Sequence, residues 1–245
     1  MSEAVKILPC GDSSIVVQFG DTADIEINLK VNVFDHLLKS RQLNGILETI
    51  PTYRSLMIHY NPLVLDYKTI NAHLVSLLNT MTGETLKTST LGVRIPVWYN
   101  PPGSEIQVVA DYEHKSVEDV IQIHSGNEHY IFMLGFSPGN AYIGCPKPTF
   151  TIPRKSTPTK RPYSGSVHIW SNQTGMGGGM GSVTGWYSLG RSPLVPYDTR
   201  RGNATFLFKP GMWVTFYPID EKRYKELEKE VEELRYQPEF YEHIS

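Results

Sequence analysis

The chain is 245 residues long, enough for one large domain or two ordinary ones, and 40% hydrophobic with 20% charged residues, which excludes global disorder. A net charge of -2 gives no whole-protein positive field to favour a nucleic-acid backbone, so a small molecule or another protein is the expected partner. No run approaches the ~18 to 20 apolar residues of a membrane span, and the first residues lack a basic region leading into an apolar one, so neither membrane association nor export is expected and the expected location is the cytoplasm.

Ser14 to Phe19 (SIVVQF) reads as a strand, and Ile25, Leu29, Val33 and Leu37 recur at helical spacing behind it. Gly45 to Ile50 and Arg54 to Tyr60 read as two more strands. Ile70, Leu74, Leu77, Leu78 and Met81 mark a second amphipathic helix with Asp66 as its cap. These strands and helices predict a small α+β domain ending near Gly83, followed by a polar linker, Thr82 to Ser89. Beyond it the pattern is mainly β: Val93 to Trp98, Glu128 to Leu134, Ser166 to Trp170, Thr205 to Phe208 and Trp213 to Tyr217 are short strands between turn-rich segments, which suggests a barrel or a sandwich. One early helix, Val117 to His124, opens on Ser116 with Asp119 three residues later, a capping pattern. Asp220 to Arg235 forms a charged helix with an apolar stripe of Tyr224, Leu227, Val231 and Leu234, suited to packing along the body or on a partner.

Gly135-Phe136-Ser137-Pro138-Gly139 fits the GxSxG pattern of a nucleophile elbow, but the residue after the serine is proline, which has no N–H to donate to an oxyanion. The segment therefore reads as a structural turn. Gly175 to Gly185 is glycine-rich without either phosphate-loop spacing, and reads as a loop of the kind that often covers a site. Arg154, Lys155, Lys160 and Arg161 place four cations within eight residues, with Arg191 farther on. Guanidinium groups make planar two-point contacts to carboxylate or phosphate, so this set suits an acidic small molecule or a nucleotide, with Gln173 and Thr174 able to add neutral hydrogen bonds; on these residues alone a solvated basic loop is the alternative. The eight histidines show no metal-ligand spacing and the two cysteines, Cys10 and Cys145, stand far apart, so neither a metal nor a disulfide is expected.

In order along the chain, Tyr53-Arg54-Ser55-Leu56, Met133 to Gly139, Ala141 to Gly144, Ile152-Pro153-Arg154, Thr157-Pro158, Gly165-Ser166-Val167, Gln173-Thr174-Gly175, Gly185-Trp186 and Leu189 to Leu194 resemble the signature of the KipI and allophanate-hydrolase-subunit-1 family, which includes the B component of bacterial 5-oxoprolinase. The resemblance implies an N-terminal ferredoxin-like α+β domain over residues 1–84 and an all-β cyclophilin-like barrel over 85–219, followed by a C-terminal helix and tail over 220–245. It implies a subunit of an ATP-dependent amidohydrolase complex acting with a homologous second cyclophilin-like subunit, and in the 5-oxoprolinase branch with a third; elsewhere in the family it implies an inhibitor of a sporulation histidine kinase or a component of allophanate-hydrolase or carboxylase enzymes. ATP is then a requirement of the complex. Matched position by position, Arg154, Arg161, Gln173, Thr174 and Arg191 are expected to line the pocket, with Gly139, Gly165, Gly185 and Trp186 as its scaffold. The sequence departs from the family pattern over Met176 to Trp186, at Asn140, and at Cys145-Pro146.

Overall fold

The computed structural model describes residues 5–81, 90–177 and 182–243. The expected linker, 82–89, and the centre of the glycine-rich stretch, 178–181, lie outside the described residues. The chain divides into two units, residues 1–89 with 245, and residues 90–244.

The first unit runs β1 (Lys6–Pro9), β2 (Ser14–Gln18), α1 (Ile25–Ser40), β3 (Ile46–Pro51), β4 (Ser55–Tyr60) and α2 (Tyr67–Leu78). Its sheet has the order β1-β2-β4-β3 with every neighbouring pair antiparallel, so β4 is inserted between β2 and β3, the two strands that α1 connects. Strict alternation in β2 and β4 buries Ile15 and Val17 against Leu56, Ile58 and Tyr60. Asp24 caps α1 by accepting from the amides of Glu26 and Ile27, and Asp66 caps α2 by accepting from Thr69. The face that α1 buries is Asn28, Val31, Phe34, Asp35 and Leu38 rather than the expected Ile25, Leu29, Val33 and Leu37, which are half-buried. A true repeat of about 3.6 residues drifts away from an every-fourth-residue count, and the buried set follows the helix. Burying Val31, Phe34 and Leu38 contributes about 1.5–3 kcal/mol each.

The second unit runs β5 (Thr90–Tyr99), α3 (Ile106–Glu113), α4 (Val117–Ser125), β6 (Glu128–Leu134), β7 (Ala141–Gly144), β8 (Thr159–Lys160), β9 (Ser166–Trp170), β10 (Gln173–Met176), β11 (Val183–Thr184), β12 (Tyr187–Arg191), β13 (Trp213–Ile219), α5 (Glu221–Glu232) and β14 (Glu239–His243). Strands β12-β9-β10-β7-β6-β13-β5 pair in that order and β5 returns to β12, closing a barrel of seven strands. One edge of the long strand β5 runs parallel to β13; the other is shared between β14, on Thr90–Arg94, and β12, on Trp98 and Tyr99. At that seam Gly190 has no Cβ to strike the Trp98 carbonyl, so the backbones can approach. Val93, Ile95, Val97, Ile131, Ile143, Val167, Ile169, Met176, Leu189, Val214 and Phe216 fill the interior, joined by Ile106, Val109 and Val120 from α3 and α4.

The Ser116–Asp119 capping box of α4 is formed. Helix α3 is additional to the one early helix expected; its short Ile-Gln-Val-Val start is as β-prone as it is helical. Thr205 to Phe208 is not a strand: Phe206 makes a single bridge to Tyr197, and Phe208 is buried from an irregular backbone. The charged C-terminal helix packs on this unit through Tyr224, Leu227 and Val231, whereas Leu234 lies beyond its end and is exposed. Among the described residues no helix is long and apolar enough to cross a membrane.

Candidate functional site

Against β7 and the outward face of β9, a concavity of about 280 Å³ is lined by Phe136, Asn140, Ala141, Tyr142, Arg154, Pro158, Arg161, His168, Val183, Thr184, Gly185 and Trp186. The basic segment forms one wall because it is tied down along its length. Glu113 Oε1, at the end of α3, accepts from the amides of Thr151 and Ile152 at 2.6 and 2.9 Å, while the Ile152 side chain enters the core. Lys155 Nζ lies 2.6 Å from Glu105 Oε1, and the Lys155 amide donates to the Gly185 carbonyl at 2.9 Å. Strands β8 and β11 then pair as a two-stranded flap, and the Arg161 amide donates to the Ser182 carbonyl.

This strapping sorts the four cations. Lys155 is neutralised by Glu105 and is spent on the scaffold. Arg154 lies over the Trp170 ring at 5.1 Å, and neither it nor Arg161 has an acidic partner among the described residues. Arg161 sits beside Gly177, where a Cβ would collide with its guanidinium, and its Nε is buried with no hydrogen-bond partner among the described residues. Burial pulls its pKa below the ordinary arginine value. No acidic residue lines the concavity, so two guanidinium groups and the Trp186, Tyr142 and Phe136 rings face a space that suits a small anion.

The other expected residues fall elsewhere. Cross-strand pairing places Thr174 with Ile169 on the interior face, where its Oγ1 is 3.1 Å from His124 Nε2, so that hydroxyl is used by the core. Gln173, one residue earlier, is on the outward face opposite Trp170 but is not among the lining residues. Arg191 is not at the concavity: its Nη2 meets Glu228 Oε1 of α5 at 3.0 Å, and its guanidinium lies between the Tyr224 and Tyr163 rings at 4.4 and 5.3 Å. Asp198 is taken by Arg200 and Arg201. Among the expected scaffold residues, Gly185 and Trp186 line the concavity. Gly139 (φ +75°) packs against Pro196 and Tyr197, and Gly165 (φ +67°) against the Ser192 carbonyl, both at approaches that leave no space for a Cβ. The GxSxG segment closes the hairpin between β6 and β7, with the Gly135 amide bonded to the Asn140 carbonyl at 3.0 Å, and holds Phe136, 90% exposed, at the mouth of the concavity.

Sequence reasoning did not single out His168. It is buried on the outward face of β9, packs edge-on to Trp186 at 5.2 Å, and occupies the space left by the absent Cβ of Gly175. A polar residue between Val167 and Ile169, opposite a glycine, was the available signal. Among the described residues no three His, Cys, Asp or Glu side chains are grouped as metal ligands.

Residues 5–207 match the family model of the carboxyltransferase domain, subdomain C and D. The chain belongs to this family. It is 29% identical over 241 residues to the B component of 5-oxoprolinase from Bacillus subtilis (strain 168), covering 94% of this chain and 99% of that protein. Against the corresponding 5-oxoprolinase component of Escherichia coli O157:H7 the identity is 32% over 139 residues, 56% of this chain and 63% of the relative. Among solved structures, TTHA0988 superposes with a TM-score of 0.72 at 27% identity over 84% of this chain, which spans 40% of that one. The K. lactis urea amidolyase gives 0.79 at 18% identity over 99% of this chain and 16% of its own, a likeness of fold alone. The family is the one to which the ordered motifs pointed.

Proposed function

We propose that this chain is a non-autonomous subunit of an ATP-dependent amidohydrolase, a 5-oxoprolinase that opens the lactam of 5-oxoproline to glutamate with consumption of ATP and water. The observation that carries the reading is the match to a relative named as a 5-oxoprolinase component over 99% of that relative's length. The concavity supports it, since Arg154 and Arg161 suit the carboxylate of such a substrate and the aromatic wall suits its ring. Gln173 remains a peripheral contributor in this reading, while Thr174 and Arg191 act in the fold. The same reading takes the first unit as a ferredoxin-like domain to about residue 84, supported by the insertion of β4 between β2 and β3, and takes the barrel as cyclophilin-like. It assigns the missing chemistry to a homologous second subunit and a third, without placing ATP on this chain.

The test is to co-express this chain with its candidate second and third subunits, purify what assembles, and measure glutamate formed from 5-oxoproline. ATP-dependent turnover by the assembly and little or none by the single chain is expected. Turnover by the chain alone overturns the subunit reading. Tight binding to a histidine kinase with reduced autophosphorylation, and no assembly with the other subunits, replaces it with the inhibitor reading.

A further inference from the structure

Besides the unpaired Arg161 Nε, a donor, the concavity is lined by a residue with an unused acceptor. His168 Nδ1 lies 3.1 Å from the Ser166 carbonyl, which can only accept, so Nδ1 carries the proton and Nε2 carries the lone pair. Among the described residues Nε2 has no hydrogen-bond partner, although the side chain is only 3% exposed. Burial, reinforced by Arg161, pushes the ring's pKa down to about 3, so the imidazole remains neutral near pH 7 and acts as a fixed acceptor rather than a proton carrier. The surroundings hold its orientation: Gly175 opposite leaves space for the ring, and Trp186 packs edge-on to it. An unpaired acceptor beside two guanidinium groups makes two different demands on a ligand. The arginines require an anion, whereas a carboxylate oxygen placed on Nε2 would set lone pair against lone pair.

We propose that His168 Nε2 accepts a hydrogen bond from the ligand, so that the concavity selects small carboxylates carrying their own N–H or O–H donor over equally sized carboxylates without one. This rests on reading the concavity as the ligand site, and it adds a residue and a selection rule to it. A carboxylate lacking the donor covers this acceptor and leaves it unpaired, the arrangement by which polar sites discriminate most strongly.

Calorimetry on the full-length chain with two matched pairs of probes tests the rule: 5-oxoproline against N-methyl-5-oxoproline, and lactate against propionate. The donor-bearing member of at least one pair is expected to bind at least about tenfold more tightly. His168→Leu should erase that preference, and His168→Gln, whose amide oxygen can stand in for Nε2, should restore most of it. In the unsubstituted protein labelled with ¹⁵N-histidine, the Nε2 resonance of His168 should move with the donor-bearing probe and not with its partner, a readout independent of how the variants fold. Discrimination between lactate and propionate without binding of 5-oxoproline keeps this inference and counts against the 5-oxoproline reading. Equal binding, or no binding, within both pairs overturns it, as does a preference that survives in His168→Leu.

Discussion

Two arginines that look alike in the sequence have different surroundings. Both bury an Nε that has no hydrogen-bond partner among the described residues, but Arg161 faces an open concavity without an acidic partner, whereas Arg191 is paired with Glu228 through Nη2 and held between two tyrosine rings. A half-exposed ion pair with stacking contributes about 1–3 kcal/mol, so Arg191→Ala should lower the urea midpoint and leave affinity for a small carboxylate within about twofold. Arg161→Ala should do the opposite, preserving the midpoint and weakening binding by at least about tenfold, because it removes a charge-assisted contact from a partly dehydrated site. The reverse pattern in chemical denaturation and calorimetry would move the site to Arg191. Residue chemistry and family position singled out Arg154, Arg161, Gly185 and Trp186, which line the concavity. They could not separate Gln173 from Thr174, which adjacent positions on one strand send to opposite faces, or anticipate that α5 would supply an acid to Arg191 from 37 positions away.

At the scale of elements, hydrophobic period and caps located both helices of the first unit, α4 and α5, because each carries a stripe and an N-terminal acceptor that act locally. Strands β7, β10 and β12 escaped because small residues and glycines dominate them; their pairing is dictated by neighbours distant in sequence. Strand β14 was equally hidden, since EFYEH acquires its role only by lying on β5. Gly92 makes that docking possible: a Cβ there would enter the Tyr241 ring, whose hydroxyl accepts from Thr215 Oγ1 at 3.0 Å. Gly92→Ala should therefore displace β14 while leaving β5 bonded to β13. Hydrogen exchange should show protection lost at residues 239–243 and retained at 213–219. Equal protection in both segments would mean that the ring shifts without cost and that β14 is held by its backbone bonds alone.

On the scale of the molecule, each unit has its own apolar core, and the cores differ in how they respond to acid. The barrel buries His124, His129 and His168. His124 is held by Tyr99 at 2.7 Å and Thr174 at 3.1 Å, while His129 Nε2 donates to the His124 carbonyl at 2.9 Å. Burial lowers all three pKa values, to about 4 for His129, to about 3 for His168 and well below the ordinary value for His124. The sign follows directly: below about pH 6.5 an unfolded histidine takes up a proton that the folded ring refuses, so stability is fully present above that pH and falls as the pH drops toward the folded values. Each ring removes up to about 1.4 kcal/mol per pH unit over that interval. The first unit has no equivalent among its described residues, since His36 and His73 are exposed and His59 is half-buried against Ser14. All four tryptophans, Trp98, Trp170, Trp186 and Trp213, belong to the second unit, so their fluorescence reports the barrel alone. Between pH 7.5 and pH 5 the urea midpoint read from tryptophan should fall steeply, while amide protection of β2 and β4 in the first unit should fall much less. Parallel losses in both units would show that the buried histidines do not set the acid limit, and that carboxylates common to the two units do.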